Sequence, residues 1–249
     1  MERTPITVKA AVQAVMENSK KRTDIETVPL QASYGRVLAE AIIAKHDVPP
    51  FDRSAYDGFA IRSEDSETAT KTNPVTFRVI GEIGAGHVGD QPLQKGEAYR
   101  IMTGAILPPH ATAVVMLEET TEVEEGFSIT KSYEKDSNIS FQGEDAQQGK
   151  ELIPSGTMIH PGTIALLATF GYAHVQVASL PKVSLVSTGT ELLNVDQPLE
   201  PGKIRNSNGP MLEGQLARMG VPYESLGMME DDLDACTTLI SDALDKSDV

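Results

Sequence analysis

The chain has 249 residues and carries 36 acidic against 21 basic side chains, a formal charge of −15. That excess opposes the phosphate neutralisation on which nucleic-acid coating depends, so no nucleic-acid partner is expected. Its 40% apolar and 23% charged residues describe a globular protein long enough for two domains or three small ones. No run of ~18 apolar residues offers a membrane span, and the expected location is cytoplasmic.

Residues 7–20 predict an amphipathic helix. Thr7 suits the N-cap, and Val8, Ala11, Val12, Val15 and Met16 fall on one stripe. A short extended piece around Val28 and Leu30 follows, then an apolar run from Val37 to Ala44 before the break at Pro49-Pro50. Between residues 51 and 142 the pattern is that of strands. Val75-Thr76-Phe77-Arg78-Val79 alternates with period two, Ala113 to Leu117 is a short apolar run, and Glu125-Gly126 reads as a turn. This stretch predicts a small β-domain inserted at 49–142. Residues 150–178 predict a helix with Pro161 in its first turn and Gly171 at its close, then an extended His174-Val175-Gln176-Val177. Residues 1–48 plus 143–178 are grouped as a discontinuous linking α+β domain.

From Lys182 the rhythm is β-α-β-α. Val183 to Val186 predicts a strand, Asn208 to Met219 a helix closed by Gly220, and Val221 to Leu226 a second strand. Asp232 caps a helix carrying Leu233, Cys236, Ile240 and Leu244. Such alternation predicts a parallel sheet over residues 179–249. Two parallel strands do not make a covered sheet, so the sequence is expected to be part of a longer protein. The expected fold class is therefore multidomain α+β and α/β: an inserted small β-domain, a linking α+β domain, and the first half of an open parallel α/β domain.

The one cysteine, Cys236, is expected at a buried helix position and precludes a cysteine-cluster metal site. The five histidines are scattered without ligand spacing. Pro49 to Ala60 is the densest block of chemistry, with Asp52, Ser54, Asp57, Gly58 and three aromatics. Asp52 and Asp57 stand on opposite faces of a strand and roughly 140° apart on a helix, so they cannot share one face of a regular element. Either the segment is irregular, or the two acids do different jobs.

Gly84-Ala85-Gly86-His87-Val88-Gly89 fits the letters of a dinucleotide-binding pattern. That pattern needs a helix at once after it, and Asp90-Gln91-Pro92 follows instead, so the segment is assigned to β-domain turns. Ser187-Thr188-Gly189-Thr190-Glu191 is better placed, directly after a strand of the α/β unit where open sheets bind ligands. Its hydroxyls and backbone N–H groups suit phosphate, whereas Glu191 repels anions and needs a cation or a proton to manage. Spacing alone leaves a simple helix-capping turn open. Arg100 to Pro108 is a strand exit through Thr103-Gly104, and Gly143-Glu144-Asp145 is a turn. Asp57, Asp145 and Glu191 each lie beside a glycine or one residue from it. Two carboxylates ~4 Å apart repel by about 4 kcal/mol at an effective dielectric near 20. If these acids converge, they share a proton or bind a hard cation such as Mg²⁺ bridging to a phosphorylated ligand.

Four blocks in this order resemble the molybdopterin molybdenumtransferase family, which includes the E domain of gephyrin. They are Pro49 to Ala60, Arg100 to Pro108 with Ala113-Val114-Val115-Met116, Gly143-Glu144-Asp145, and Ser187 to Leu192. The resemblance covers essentially the whole chain and implies insertion of molybdate into adenylylated molybdopterin with release of AMP, using Mg²⁺. It implies Asp57, Thr103, Asp145 and Glu191 as catalytic residues, with Asp57, Asp145 and Glu191 as metal ligands; Gly58 is then expected to allow the turn at Asp57, and Asp52 to secure the loop where the chain enters the β-domain. Ser187, Thr188, Gly189, Asn208 and Asp231 are the implied cofactor contacts, on a molybdopterin-binding α/β domain. A homodimer and an upstream molybdopterin adenylyltransferase are the implied partners.

Several residues depart from the family pattern. Arg53 and Tyr56 stand where Asn and Met are usual, Thr190 replaces a common Asp, and Ser140-Phe141-Gln142 stand where arginines are usual. The family continues with further loops and a C-terminal β-domain, so this stretch alone is expected to be inactive or severely impaired. A gephyrin-like scaffold without catalysis and a generic nucleotide-binding protein are the competing expectations.

Overall fold

A computed structural model describes residues 5–19, 23–229 and 232–249. The chain forms two compact units, Met1–Ala41 with Pro154–Val249 and, inserted between these segments, Ile42–Ile153.

Helix α1 (Val8–Asn18) begins where expected, with Thr7 Oγ1 accepting from the Ala10 N–H at 3.2 Å. Strand β1 (Ile25–Pro29) follows.

The inserted unit opens with β2 (Ile42–Ile43) and β3 (Arg53–Ser54). Its body is a six-stranded sheet of β4 (Gly58–Ile61), β5 (Val75–Ile83), β6 (Glu97–Ile101), β7 (Ala113–Met116), β8 (Thr121–Val123) and β9 (Gly126–Ile129), in the order β7-β4-β6-β5-β9-β8. All neighbours are antiparallel except β5 and β6. Strands β10 (Ile139–Ser140) and β11 (Glu151–Ile153) close the unit by pairing with β3 and β2.

Period-two alternation sorts the sheet's side chains into two cores. Phe59, Ile61, Phe77, Val115 and Phe127 make one, in which the Phe59 and Phe127 rings stack at 3.9 Å between centroids. Ala60, Ile83, Tyr99, Ile101 and Val114 make the other. Both faces are therefore covered, which is why β4 is buried at every residue. The register fixes what matters for function: Gly58 lies opposite Ile101, and Ile101 opposite Ile83. The residues just beyond them, Asp57, Met102-Thr103 and Gly84, therefore emerge at one end of the sheet.

After β11 the chain returns through α2 (Pro161–Thr169) and β12 (His174–Ala178). Pro161 occupies the first turn, and the His160 side chain caps it by accepting from Gly162 N. Strand β12 pairs antiparallel with β1. Ile159, Leu167, Phe170, Val175 and Val177 are among the buried side chains of this segment, as is Leu38 before the insertion.

Strand β13 (Val183–Thr188) begins the α/β portion. Short strands β14 (Leu192–Leu193) and β15 (Ile204–Arg205) pair with one another, then α3 (Asn208–Met219), β16 (Tyr223–Met229) and α4 (Leu233–Leu244) follow. Strands β13 and β16 are parallel, as the β-α-β rhythm predicts. Gly220 ends α3 in the left-handed conformation, and Asp232 caps α4 by accepting from Ala235 N at 2.8 Å. Cys236 is half-buried on α4, with Sγ 3.5 Å from Met229 Sδ. Among the described residues no helix is long and apolar enough to cross a membrane.

Candidate functional site

At the sheet end of the inserted unit, Asp57 and Thr103 meet across 46 residues of sequence. Asp57 Oδ1 accepts both the Thr103 N–H at 2.6 Å and its hydroxyl at 2.8 Å. The contact follows from strand register, because Thr103 leaves β6 as Asp57 approaches β4 on the neighbouring strand. The Asp57 carbonyl also accepts from Leu117 N at 3.2 Å, tying the residue to the exit of β7. Both side chains are exposed.

The Thr103 backbone N–H and then its hydroxyl hold the Asp57 carboxyl below the ordinary carboxylate range, with Arg100 adding a smaller electrostatic pull. Because the folded value is the lower one, the stabilisation from this contact is present above the unfolded value and disappears as pH falls through the folded one. Thr103→Val removes only the hydroxyl, so the Asp57 titration should move partway back toward the ordinary range. A carbon-detected NMR titration of the Asp57 carboxyl would check this, and an unmoved midpoint would refute it.

The same end of the unit gathers a second set of acids. Asp52 Oδ1 accepts from Gln142 N at 2.8 Å, as expected of a residue that secures the loop. Asp47, which the sequence did not single out, accepts from Gln148 N at 2.8 Å and Gln142 Nε2 at 2.7 Å. These contacts lower its carboxyl below the ordinary range, the Gln148 N–H contributing most. Asp145 faces Arg53, with 3.7 Å from Oδ2 to Nη2. The Gly84–Gly89 segment is a turn between β5 and β6 with no helix after it. The dinucleotide reading of that motif is thereby excluded.

In the other unit, a cleft of about 320 Å³ lies beyond the carboxyl end of β13. Ser187, Thr188, Glu191, Asn206, Ser207 and Asn208 are among its lining residues. Asn206 links the pieces: its Nδ2 donates to Ser187 Oγ at 2.9 Å, and its Oδ1 accepts from Gly209 N at 3.0 Å in the first turn of α3. The Ser207 hydroxyl makes no capping bond. Helix α3 thus brings the positive end of its dipole to a cleft furnished with hydroxyl and amide groups. Glu191 is folded back over Gly189. A Cβ there would stand 2.7 Å from Glu191 Oε2, which a swing of that side chain could relieve, but the backbone φ of +152° favours glycine.

The structure therefore brings Asp57 and Thr103 into contact in one unit and gathers Ser187, Thr188, Glu191 and Asn208 around one cleft in the other. Gly189 forms the turn beneath Glu191. Asp231 lies outside the described residues. Asn206 and Ser207 were missed, although their place directly before a periodic helix was a legible signal. Among the described residues, no three His, Cys, Asp or Glu side chains gather where they could share a metal ion. A Mg²⁺ site needs fewer, since one or two carboxylates are commonly completed by substrate phosphates and water. Glu191, among hydroxyl and amide neighbours, fits such a donor set. Asp145 fits it less well, because its carboxylate already has a guanidinium beside it.

Comparison with known proteins agrees with the order of these features. Residues 6–171 match the family model described as the MoeA N-terminal region, domains I and II. The chain belongs to the MoeA family. Residues 184–249 of this MoeA-family chain match a probable molybdopterin binding domain, which coincides with the α/β portion and its cleft. A protein named molybdopterin molybdenumtransferase from Staphylococcus aureus (strain Mu50) is 46% identical over 248 residues, covering 100% of this chain and 59% of the relative. The protein of that name from Staphylococcus epidermidis (strain RP62A) is 45% identical over the same shares. The chain thus spans 59% of the length of these curated relatives. The crystal structure of the molybdopterin biosynthesis moeA protein from Pyrococcus horikoshii OT3 superposes with a TM-score of 0.89. It is 33% identical, over 97% of this chain and 64% of that one. The multidomain α+β and α/β architecture is that of these MoeA structures.

Proposed function

We propose that the protein carrying this chain inserts molybdate into adenylylated molybdopterin and releases AMP, a step of molybdenum cofactor synthesis. The observation that carries this reading is the cleft beyond β13, where Ser187, Thr188, Asn206, Ser207 and Asn208 surround one carboxylate, Glu191. Hydroxyl groups and the N-terminal end of α3 suit a phosphate-bearing ligand, while a lone carboxylate among them suits a cation that the ligand brings with it. The names of the curated relatives support the same chemistry.

In this reading Ser187, Thr188, Gly189 and Asn208, with Asp231, bind and orient the molybdopterin ligand. Asp57 is kept ionised and fixed by Thr103, so its charge and position are set before the ligand arrives. Asp145 completes the catalytic set proposed with Asp57, Thr103 and Glu191. Glu191 would hold Mg²⁺ in the cleft of the α/β portion, and Asp57 and Asp145 are the carboxylates proposed as metal ligands on the inserted unit. When bound, the ion would withdraw electron density from the phosphoanhydride. The ligand's dithiolene sulfurs receive the molybdenum. A homodimer, supply of the ligand by a molybdopterin adenylyltransferase, and a cytoplasmic location belong to the same proposal.

The test is AMP release by the purified full-length protein given adenylylated molybdopterin. Release that requires molybdate is expected. Absence of AMP release from a well-folded preparation, or release indifferent to molybdate, would refute the reading.

A further inference from the structure

We propose that Arg53 is an oxyanion-binding residue of the inserted unit's site, positioned by Asp145. This deepens the functional reading above and rests on it. Strand β3 is only two residues long, yet its backbone is held on both sides. Arg53 lies opposite Ser140 of β10 and forms a bridge with Ile106, three residues beyond Thr103. Ser54 N donates to Ala105 O at 3.0 Å, and Gly104 N donates to Ser54 O at 2.9 Å. Strand alternation then separates the two side chains. Ser54 is buried and its hydroxyl donates to the Tyr56 carbonyl, while Arg53 keeps 38% of its side chain exposed.

The guanidinium is placed without being closed on a partner. Its Nε is 3.5 Å from Ser140 Oγ, at the limit of a hydrogen bond, and its Nη2 is 3.7 Å from Asp145 Oδ2, beyond one. A mature arginine–carboxylate pair is bidentate and closer, at roughly 2.7–2.9 Å. Arg36, Arg62 and Arg78 each make a closer contact through Nη2, with Glu26, Glu64 and Glu97 respectively. Arg53 therefore retains most of its five donors, in the fork geometry that fits phosphate and related tetrahedral oxyanions.

The surrounding charge gives this a purpose. Asp47, Asp52, Asp57, Glu144 and Asp145 are carried by the segments that these contacts tie to β3 and Gln142, and residues 140–145 supply no cation. Asp47 and Asp52 are satisfied by backbone and amide donors, which leaves their negative charge in place. Arg100 acts on the charge of Asp57 itself. A rim of carboxylates would repel an anionic ligand, and Arg53 is the guanidinium that the fold inserts among them. Asp145 holds that guanidinium at a distance where electrostatics orient it but no tight pair competes with a ligand.

The shared chemistry is a tetrahedral oxyanion, either free molybdate or a phosphate of the adenylylated ligand. Steady-state AMP release by the full-length protein, with each substrate varied in turn, separates the two. Arg53→Gln should raise KM for one of them about 10- to 100-fold, the worth of a charge-assisted contact, with kcat changed far less. Arg53→Lys should recover part of the loss. The substrate whose KM moves identifies the source of the oxyanion. Asp145→Asn should add little to the KM change of Arg53→Gln, whatever it does to kcat as a member of the proposed catalytic set, and a multiplicative effect on KM would overturn the positioning role. Unchanged KM for both substrates, in a folded Arg53→Gln protein whose Asp57→Ala counterpart is inactive, would overturn the proposal while leaving the functional reading intact. Absence of molybdate-dependent AMP release from the folded wild-type protein would overturn both.

Discussion

Asp57→Ala in the full-length protein is expected to lower the turnover of AMP release by about 100- to 1,000-fold, with little change in melting temperature. The size is that of losing one preorganised charged group from an active site. The small thermal effect follows from exposure, because Asp57 and Thr103 both face solvent and no core packing is lost. The two Thr103 donors make the prediction specific. They hold one carboxylate oxygen and keep the group ionised, so the protein has invested local structure in the charge rather than in the shape of this side chain. Asp57→Asn is therefore the sharper variant. An asparagine oxygen can still accept from Thr103, yet the charge is gone, and its rate should fall nearly as far as that of the alanine variant. Wild-type turnover in Asp57→Asn would mean that the residue only shapes its loop.

Gly58→Ala should destabilise the inserted unit by about 3 kcal/mol or more, which is at the upper end for overpacking. A Cβ at this position would meet the Val115 carbonyl oxygen at 1.9 Å and its carbon at 2.9 Å. Backbone atoms of β7 cannot rotate away as a side chain could, so the β4–β7 pair must separate. The damage reaches the site, since Gly58 is also opposite Ile101 and sets the register that joins Thr103 to Asp57. Chemical denaturation of the variant measures the loss, and a midpoint within error of the wild type would show that the strands adjust freely. This residue corrects one expectation. Gly58 does not serve a turn: it is a buried strand residue, absent from the glycines with positive φ, and its role is to let two backbones pass closely.

What the sequence made legible was local. Asn208–Met219 has the bounds expected of it, because the apolar period and the terminal Gly220 point the same way. Pro161 and Gly171 similarly announced α2, whereas its N-cap, His160, went unnoticed because imidazole is an uncommon capping group. Strands β2, β3 and β10 are two residues long, too short for any alternation to show. The parallel pairing of β5 with β6 inside an otherwise antiparallel sheet depends on distant contacts that no window of sequence reports.

The candidate site divides along the same line. Asp52 was rightly separated from Asp57 by spacing, and its bond to Gln142 N bears out a loop-securing role. The contact between Asp57 and Thr103 could be suspected from the order of motifs, but its two hydrogen bonds exist only because of the strand register. Arg53 was visible as a departure from a familiar pattern. Its position opposite Ser140 and beside Asp145 was not.

The stem of the inserted unit has a consequence for how the chain tolerates change. Strands β2 and β11 pair, Val48 bridges to Ala146, and Asp47 bonds to both Gln142 and Gln148, so the two ends of the insertion are fastened side by side. To the segments that flank it, the whole insertion is a loop whose ends are already closed. Lengthening or trimming its outer turns then alters no closure entropy outside the stem. Such an architecture lets the outer turns of the insertion be rebuilt by evolution or by design while the α/β portion folds undisturbed.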